Sequence, residues 1–221
     1  MGSYLSLWVF SLAFGLIEAA VVIYLRHSIG VNGQDLFPLL QQNDEAVRWA
    51  FSIERVREVA TLLVMLTPAI LFSNRNFERF LAYVIVFGVW DLSYYAFLRI
   101  FLGWPETLFT YDVLFLVPTL WVAPVFCAVL ISATLVVFGS AYLLIARRRA
   151  ARNPSALQWL IVLLGGALVQ LSFVDNAAYY LAGGVPPRFS WLSFASGYVL
   201  AAMAAGYFLV QFAQQPRTRF F

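Results

Sequence analysis

The chain has 221 residues, of which 62% are hydrophobic and 11% charged, with a mean hydropathy of +0.82 and a net charge of +3. Soluble domains carry roughly 25% charged residues, so this composition points to a polytopic membrane protein that needs no separate soluble domain. All 14 basic residues are arginine, His27 is the single histidine and Cys127 the single cysteine, which excludes an internal disulfide, a lysine Schiff base or nucleophile, a bis-histidine haem and a histidine-rich zinc or copper site.

A helix needs about 20 apolar residues to cross a bilayer. Residues 4–26 form the first such run. Glu18 interrupts it and no basic residue precedes it, so it reads as an uncleaved span rather than a signal peptide. A polar loop follows over 27–50. The second span, 51–73, opens with the charged run Glu54-Arg55-Val56-Arg57-Glu58. The turn SNRNFER leads to the third span, 80–102. Residues 104–118 are too few to cross and apolar in their middle, and they read as an interfacial or re-entrant segment in which Trp104-Pro105 starts a short helix. The fourth span covers 120–146, with Pro124 in its first turn. The basic loop RRRAARNP precedes the fifth and sixth spans, 155–182 and 190–212. The expected fold is therefore all-α: six transmembrane helices in three hairpins plus the 104–118 segment, with residues 1–221 forming a single transmembrane domain.

Six spans place both termini on one side. The segments on that side carry Arg75, Arg79, Arg147, Arg148, Arg149, Arg152, Arg217 and Arg219 against Glu78 alone. By the positive-inside rule this side is cytoplasmic. The stretches ERVREVATLLVML and WDLSYYAFLRIFLGWP resemble segments of bacterial membrane proteins, so the expected location is the bacterial inner membrane. Arginines placed between spans are explained by orientation, and no nucleic-acid partner is expected.

Spans one and three share a spacing. Glu18 is followed by Tyr24, Leu25, Arg26 and Gly30, as Asp91 is by Phe97, Leu98, Arg99 and Gly103. Asp175, with Tyr179 at +4, repeats part of it. A hairpin used three times would give this pattern. So would chance matching in an apolar background.

Charges inside spans are expensive and mark functional sites or ion pairs. At 3.6 residues per turn, Glu54, Arg57, Glu58 and Thr61 share one face of span two. Asp91, Tyr94 and Tyr95 share one face of span three, and Ser172, Asp175 and Tyr179 one face of span five. If these faces converge with Glu18, they ring an acidic, aromatic cavity open to the outside and capped by Asp112 and Glu106. Arg26, Arg55, Arg57 and Arg99 are the available counter-charges. Hard oxygen ligands of this kind suit Mg²⁺, Ca²⁺ or Mn²⁺, which leaves the metal question open at this stage. No cofactor motif occurs. The expected partners are the lipid bilayer and a small solute or ion. The first functional reading is a small permease or channel for a cation or cationic solute. The alternatives are a membrane-embedded enzyme using Glu58 and Asp91 on a lipid-linked or apolar substrate, and a non-catalytic subunit whose carboxylates only pair with arginines to fix a bundle.

Overall fold

A computed structural model describes residues 2–28, 45–150, 152–175, 177 and 188–216. The described residues form six helices and one two-stranded sheet. In chain order these are α1 (Gly2–Ser28), α2 (Glu45–Phe72), α3 (Asn76–Leu102), β1 (Tyr111–Phe115), β2 (Trp121–Pro124), α4 (Val125–Ala146), α5 (Ala156–Val174) and α6 (Trp191–Ala213). Five of the helices are long and apolar enough to cross a membrane. The protein is a multi-pass helical membrane protein, and its surface agrees: Leu192, Leu71 and Val56 stand 83%, 80% and 69% exposed. Such side chains cover a soluble protein only in small patches.

The helix outside that group is α2. Its first half carries Glu45, Arg48, Glu54, Arg55, Arg57 and Glu58, and its second half, 59–72, is free of charge. Its amphipathicity is inverted relative to that of a soluble helix. Ile53, Val56, Leu63 and Leu71 face outward, while Glu58, Thr61 and Met65 are buried.

Helix α3 is the axis of the fold. It packs against α1, α2 and α4, and α5 and α6 form a separate tight pair. Leu81, Ile85, Val86 and Leu98 are fully buried along it. At its first turns Phe77 meets Tyr142, Phe208 and Trp159 edge-on, and Tyr142 stacks on Phe212 at 4.5 Å between centroids. Aromatic pairs in these geometries each add about 0.5–1.5 kcal/mol beyond their burial. Without a hydrophobic drive between helices in lipid, α5 and α6 rely on close approach. A Cβ on Gly165 would lie 2.6 Å from the Gly197 carbonyl oxygen, so only glycine allows this contact.

The connection between α3 and α4 departs from expectation. No helix starts at Trp104-Pro105, and the fourth helix begins at Val125 rather than 120. Gly103 ends α3 in the left-handed conformation (φ 68°), with its N–H donating to the Arg99 carbonyl. β1 and β2 then pair antiparallel, Asp112 opposite Ala123 and Val113 opposite Val122, with an irregularity between Val113 and Phe115. The aromatic and β-branched residues of YDVLF favour strand, and Pro124 occupies the N-cap of α4. Buried backbone needs partners. Here the ladder supplies them, as do bonds from Val125 N–H to the Thr110 carbonyl and from Phe126 N–H to that of Leu108. Two other boundaries shift. α2 starts at Glu45, inside the expected loop, and α5 is helical to Val174. The remainder of the expected fifth span lies largely outside the described residues.

Candidate functional site

A cavity of about 160 Å³ lies between α1, α2, α3, the hairpin and α4, with Phe173 of α5 at one wall. Glu18, Glu54, Glu58, Asp91 and Asp112 line it, together with Tyr94, Tyr95 and the guanidinium of Arg57. Seven expected site residues therefore meet in one place. The helix positions explain why: Glu18, Asp91 and Ser132 lie at one depth, in the half of the bundle away from the Arg147–Arg152 turn.

Each carboxylate has a protein partner, and the partners differ in kind. Glu18 is 5% exposed; it pairs with Arg57 and accepts from Thr61 Oγ1 at 3.1 Å. Arg57 also pairs with Glu54, and its Nε donates to that carboxylate at 2.9 Å. Glu58 accepts the Leu116 backbone N–H on both oxygens, at 3.0 and 2.9 Å. Asp91 accepts from Ser132 Oγ at 2.7 Å, and Asp112 from the Tyr95 hydroxyl at 2.9 Å. Neither aspartate forms an ion pair among the described residues. Burial pushes the Asp112 carboxyl up to about 6, against the opposing pull of the Tyr95 hydroxyl, the Arg26 guanidinium and the Val113 N–H.

Aromatic faces close the remaining walls. Trp90 stacks on Tyr94 at 6.1 Å, and Phe87 on Phe115 at 6.3 Å. Trp121 packs on Phe115 at 5.4 Å. The indole N–H groups of Trp90 and Trp121 find no acceptor among the described residues. The cavity thus combines carboxylate acceptors, π faces that attract cations and spare donors.

Other expected residues stand apart. Asp175 does not line the cavity. It caps the exposed end of α5 and accepts from Ser190 Oγ. Helix α5 stops one residue before it, and Asp175 lies at the protein surface instead of in the bundle interior. Glu106 is exposed rather than capping the site. Arg99 is exposed and donates to the Pro105 carbonyl at 2.8 Å, which closes the turn after α3. Arg55 is also exposed and lines no part of the cavity. Arg26 is buried with its guanidinium 4.2 Å over the Trp104 ring, behind Asp112. Tyr179 lies outside the described residues. Ser132, Phe87 and Trp121 line the site without having been expected there. A serine in the run ISATLVV carries no signal in sequence, and Trp121 reads there as an interfacial belt residue.

No protein-family model, curated protein or solved structure matches this chain. Function has to be read from the chemistry of the cavity itself. Among the described residues, no three His, Cys, Asp or Glu side chains converge as a bound metal ion would need. The carboxylates are instead spread around the walls, each held by its own neighbour.

Proposed function

We propose that the protein binds a small organic cation in this cavity and carries it across the membrane as a permease. One observation supports the reading most: five carboxylates and one guanidinium line the same cavity. Acids in excess of arginines away from bulk water must hold protons or a cation. The volume limits the guest. A cavity of roughly 150 Å³ accepts benzene, so a methylated ammonium or an amine of similar size fits. The aromatic walls favour an organic cation over a metal ion.

In this reading α2 is the sixth span, and its charged face is tolerated because it points into the cavity. Six spans and the arginine bias then put both termini in the cytoplasm of a bacterial inner membrane, with the cavity toward the outside. The hairpin of β1 and β2 is a re-entrant segment that forms the cavity floor. Catalysis by a Glu58–Asp91 pair is less well supported, because both Glu58 oxygens are engaged by backbone.

The test uses purified protein in liposomes with radiolabelled methylammonium as probe. Wild type takes it up faster than empty liposomes, and tetramethylammonium competes. Asp91→Asn, which keeps the Ser132 contact and removes the charge, lowers uptake at least about tenfold, the scale of one lost charge interaction. Uptake by Asp91→Asn equal to that of wild type, or no uptake by either, overturns the reading.

A further inference from the structure

A second cavity, of about 260 Å³, separates α3 and α4 from the α5–α6 pair. Its walls are Phe80 and Val84 of α3, Leu135 and Phe138 of α4, Trp159 of α5 and Phe208 of α6, among others. Few polar groups reach it, and the central ones satisfy each other: Thr134 Oγ1 and the Tyr198 hydroxyl lie 2.7 Å apart, and Thr134 also donates to the Leu130 carbonyl. Nothing along this inner wall asks for water or a polar ligand. On α5 the lining runs from Gln158 to Val169, eleven helical steps and therefore roughly 16 Å at the helical rise. Half the hydrocarbon thickness of a bilayer is about 15 Å. The crevice has the length of one leaflet's acyl chain.

The end of the crevice at Gln158 meets a basic turn. Gln158 Nε2 donates to Gln211 Oε1, and Arg152 Nη2 reaches the same oxygen at 3.5 Å. The Tyr142 hydroxyl donates to the Arg152 carbonyl at 2.7 Å and accepts its N–H at 3.2 Å, fixing that residue beside the crevice rim. Arg147, Arg148, Arg149 and Arg152 form no ion pair with a carboxylate among the described residues. Arg147 lies 5.9 Å over the Tyr4 ring on the α1 side, and Arg148 and Arg149 follow it in the turn that leads to Arg152.

We propose that this crevice is a binding site for an anionic phospholipid, with one acyl chain between α4 and α5 and the phosphate of the headgroup on Arg148, Arg149 and Arg152. Unpaired guanidiniums at a membrane surface attract anionic headgroups, and an apolar slot of leaflet length holds the chain in register with them. The lipid would fill the gap between the cavity-bearing part of the bundle and the α5–α6 pair. The site is independent of the cation cavity, and its test reads lipid and not transport.

Gly166 supplies a specific probe, because it lines the crevice and a Cβ there meets nothing within 4 Å. Wild type is reconstituted in phosphatidylcholine vesicles containing increasing phosphatidylglycerol, with brominated acyl chains on one lipid at a time. Quenching of Trp159 is obtained by subtracting the signal of Trp159→Phe. Brominated phosphatidylglycerol quenches Trp159 at a lower mole fraction than brominated phosphatidylcholine, by about fivefold for each engaged arginine. Replacing Arg148, Arg149 and Arg152 by glutamine removes the preference, and Gly166→Phe reduces quenching by both lipids. Equal quenching by the two lipids in wild type, a preference that survives the arginine replacements, or a folded Gly166→Phe quenched like wild type overturns the proposal. Should Gly166→Phe not fold, the arginine variant, altered only in a turn, decides.

Discussion

Both oxygens of the Glu58 carboxylate lie within 3.0 Å of the backbone nitrogen of Leu116, 58 positions later in the chain. One side chain of α2 thereby holds the end of β1 inside the bundle. A hydrogen bond to a charged group contributes about 1.5–3 kcal/mol, twice a neutral one. Glu58→Gln is expected to cost about 1 kcal/mol, and Glu58→Ala about 2–3, because alanine leaves the buried Leu116 N–H with no acceptor. Amide exchange at Leu116 is the direct readout, with the order alanine, glutamine, wild type from fastest to slowest. Exchange unchanged in the alanine variant would show that the hairpin is held by its own ladder.

Arg57 bridges Glu18 and Glu54. Removing one partner of a fully buried pair costs roughly 3–5 kcal/mol. Arg57 is part-exposed, so Arg57→Gln is expected to cost about 2. The double variant Glu18→Gln/Arg57→Gln recovers part of this loss, since Thr61 can still donate to the residue at 18. Unfolding in mixed detergent micelles gives the cycle. Additive losses would mean that the two side chains do not act together.

The raised Asp112 carboxyl predicts a pH dependence with a definite sign. Its folded-state value, about 6, lies above the ordinary aspartate value of about 3.9. The folded protein therefore holds this proton more tightly than the unfolded chain does. The contribution is complete below about pH 4 and is lost as pH rises through 6, on the order of 3 kcal/mol in total. Asp112→Asn lacks it, so the stability gap between variant and wild type should change across pH 4 to 7 and be flat above. Cation binding runs the other way, strengthening as Asp112 ionises. A gap independent of pH would place the titration elsewhere.

Adjacent glycines in α5 make opposite predictions. Gly165→Ala pushes a methyl into the Gly197 carbonyl, while Gly166→Ala meets open space. The first should separate α5 from α6 and cost about 1–3 kcal/mol, the scale of overpacking. The second should be neutral or stabilise by up to about 1 kcal/mol, from the lower backbone entropy of alanine. Unfolding curves of the two variants, taken side by side, decide whether close approach is what holds the pair.

Much of this architecture can be read without coordinates because charge is rare in the chain. Glu18, Glu54, Glu58, Asp91 and Asp112 stand out against hydrocarbon, and helical periodicity puts Glu54 and Glu58 on one face of α2, but whether that face meets Glu18 and Asp91 depends on packing that periodicity does not report. The hairpin is harder to read. In an apolar background a five-residue strand such as YDVLF has no contrast between its faces, so neither period shows. Asp175 is placed apart from the acidic cavity. Its tyrosine at +4 copies the Asp91 pattern, but spacing does not report where a helix ends. The matching arginines of spans one and three diverge similarly. Arg26 is buried over Trp104, while Arg99 is turned to the surface beside Gly103, whose left-handed conformation redirects the chain.

If α2 crosses the membrane as proposed above, its inward charges also set conditions on biogenesis. A helix with Glu54, Arg57 and Glu58 on one face enters lipid poorly by itself, since each central charge costs about 2.5–3.5 kcal/mol on insertion scales. Glu18 precedes it on the ribosome, so α1 can leave the translocon already pairing with Arg57. Glu58 has no such early partner. Its acceptor oxygens wait for Leu116, which is synthesised only after α3 is complete. The nascent chain therefore passes through a stage in which one acidic side chain is unmet, and α1, α2 and α3 must be retained together at the insertion site until the hairpin arrives.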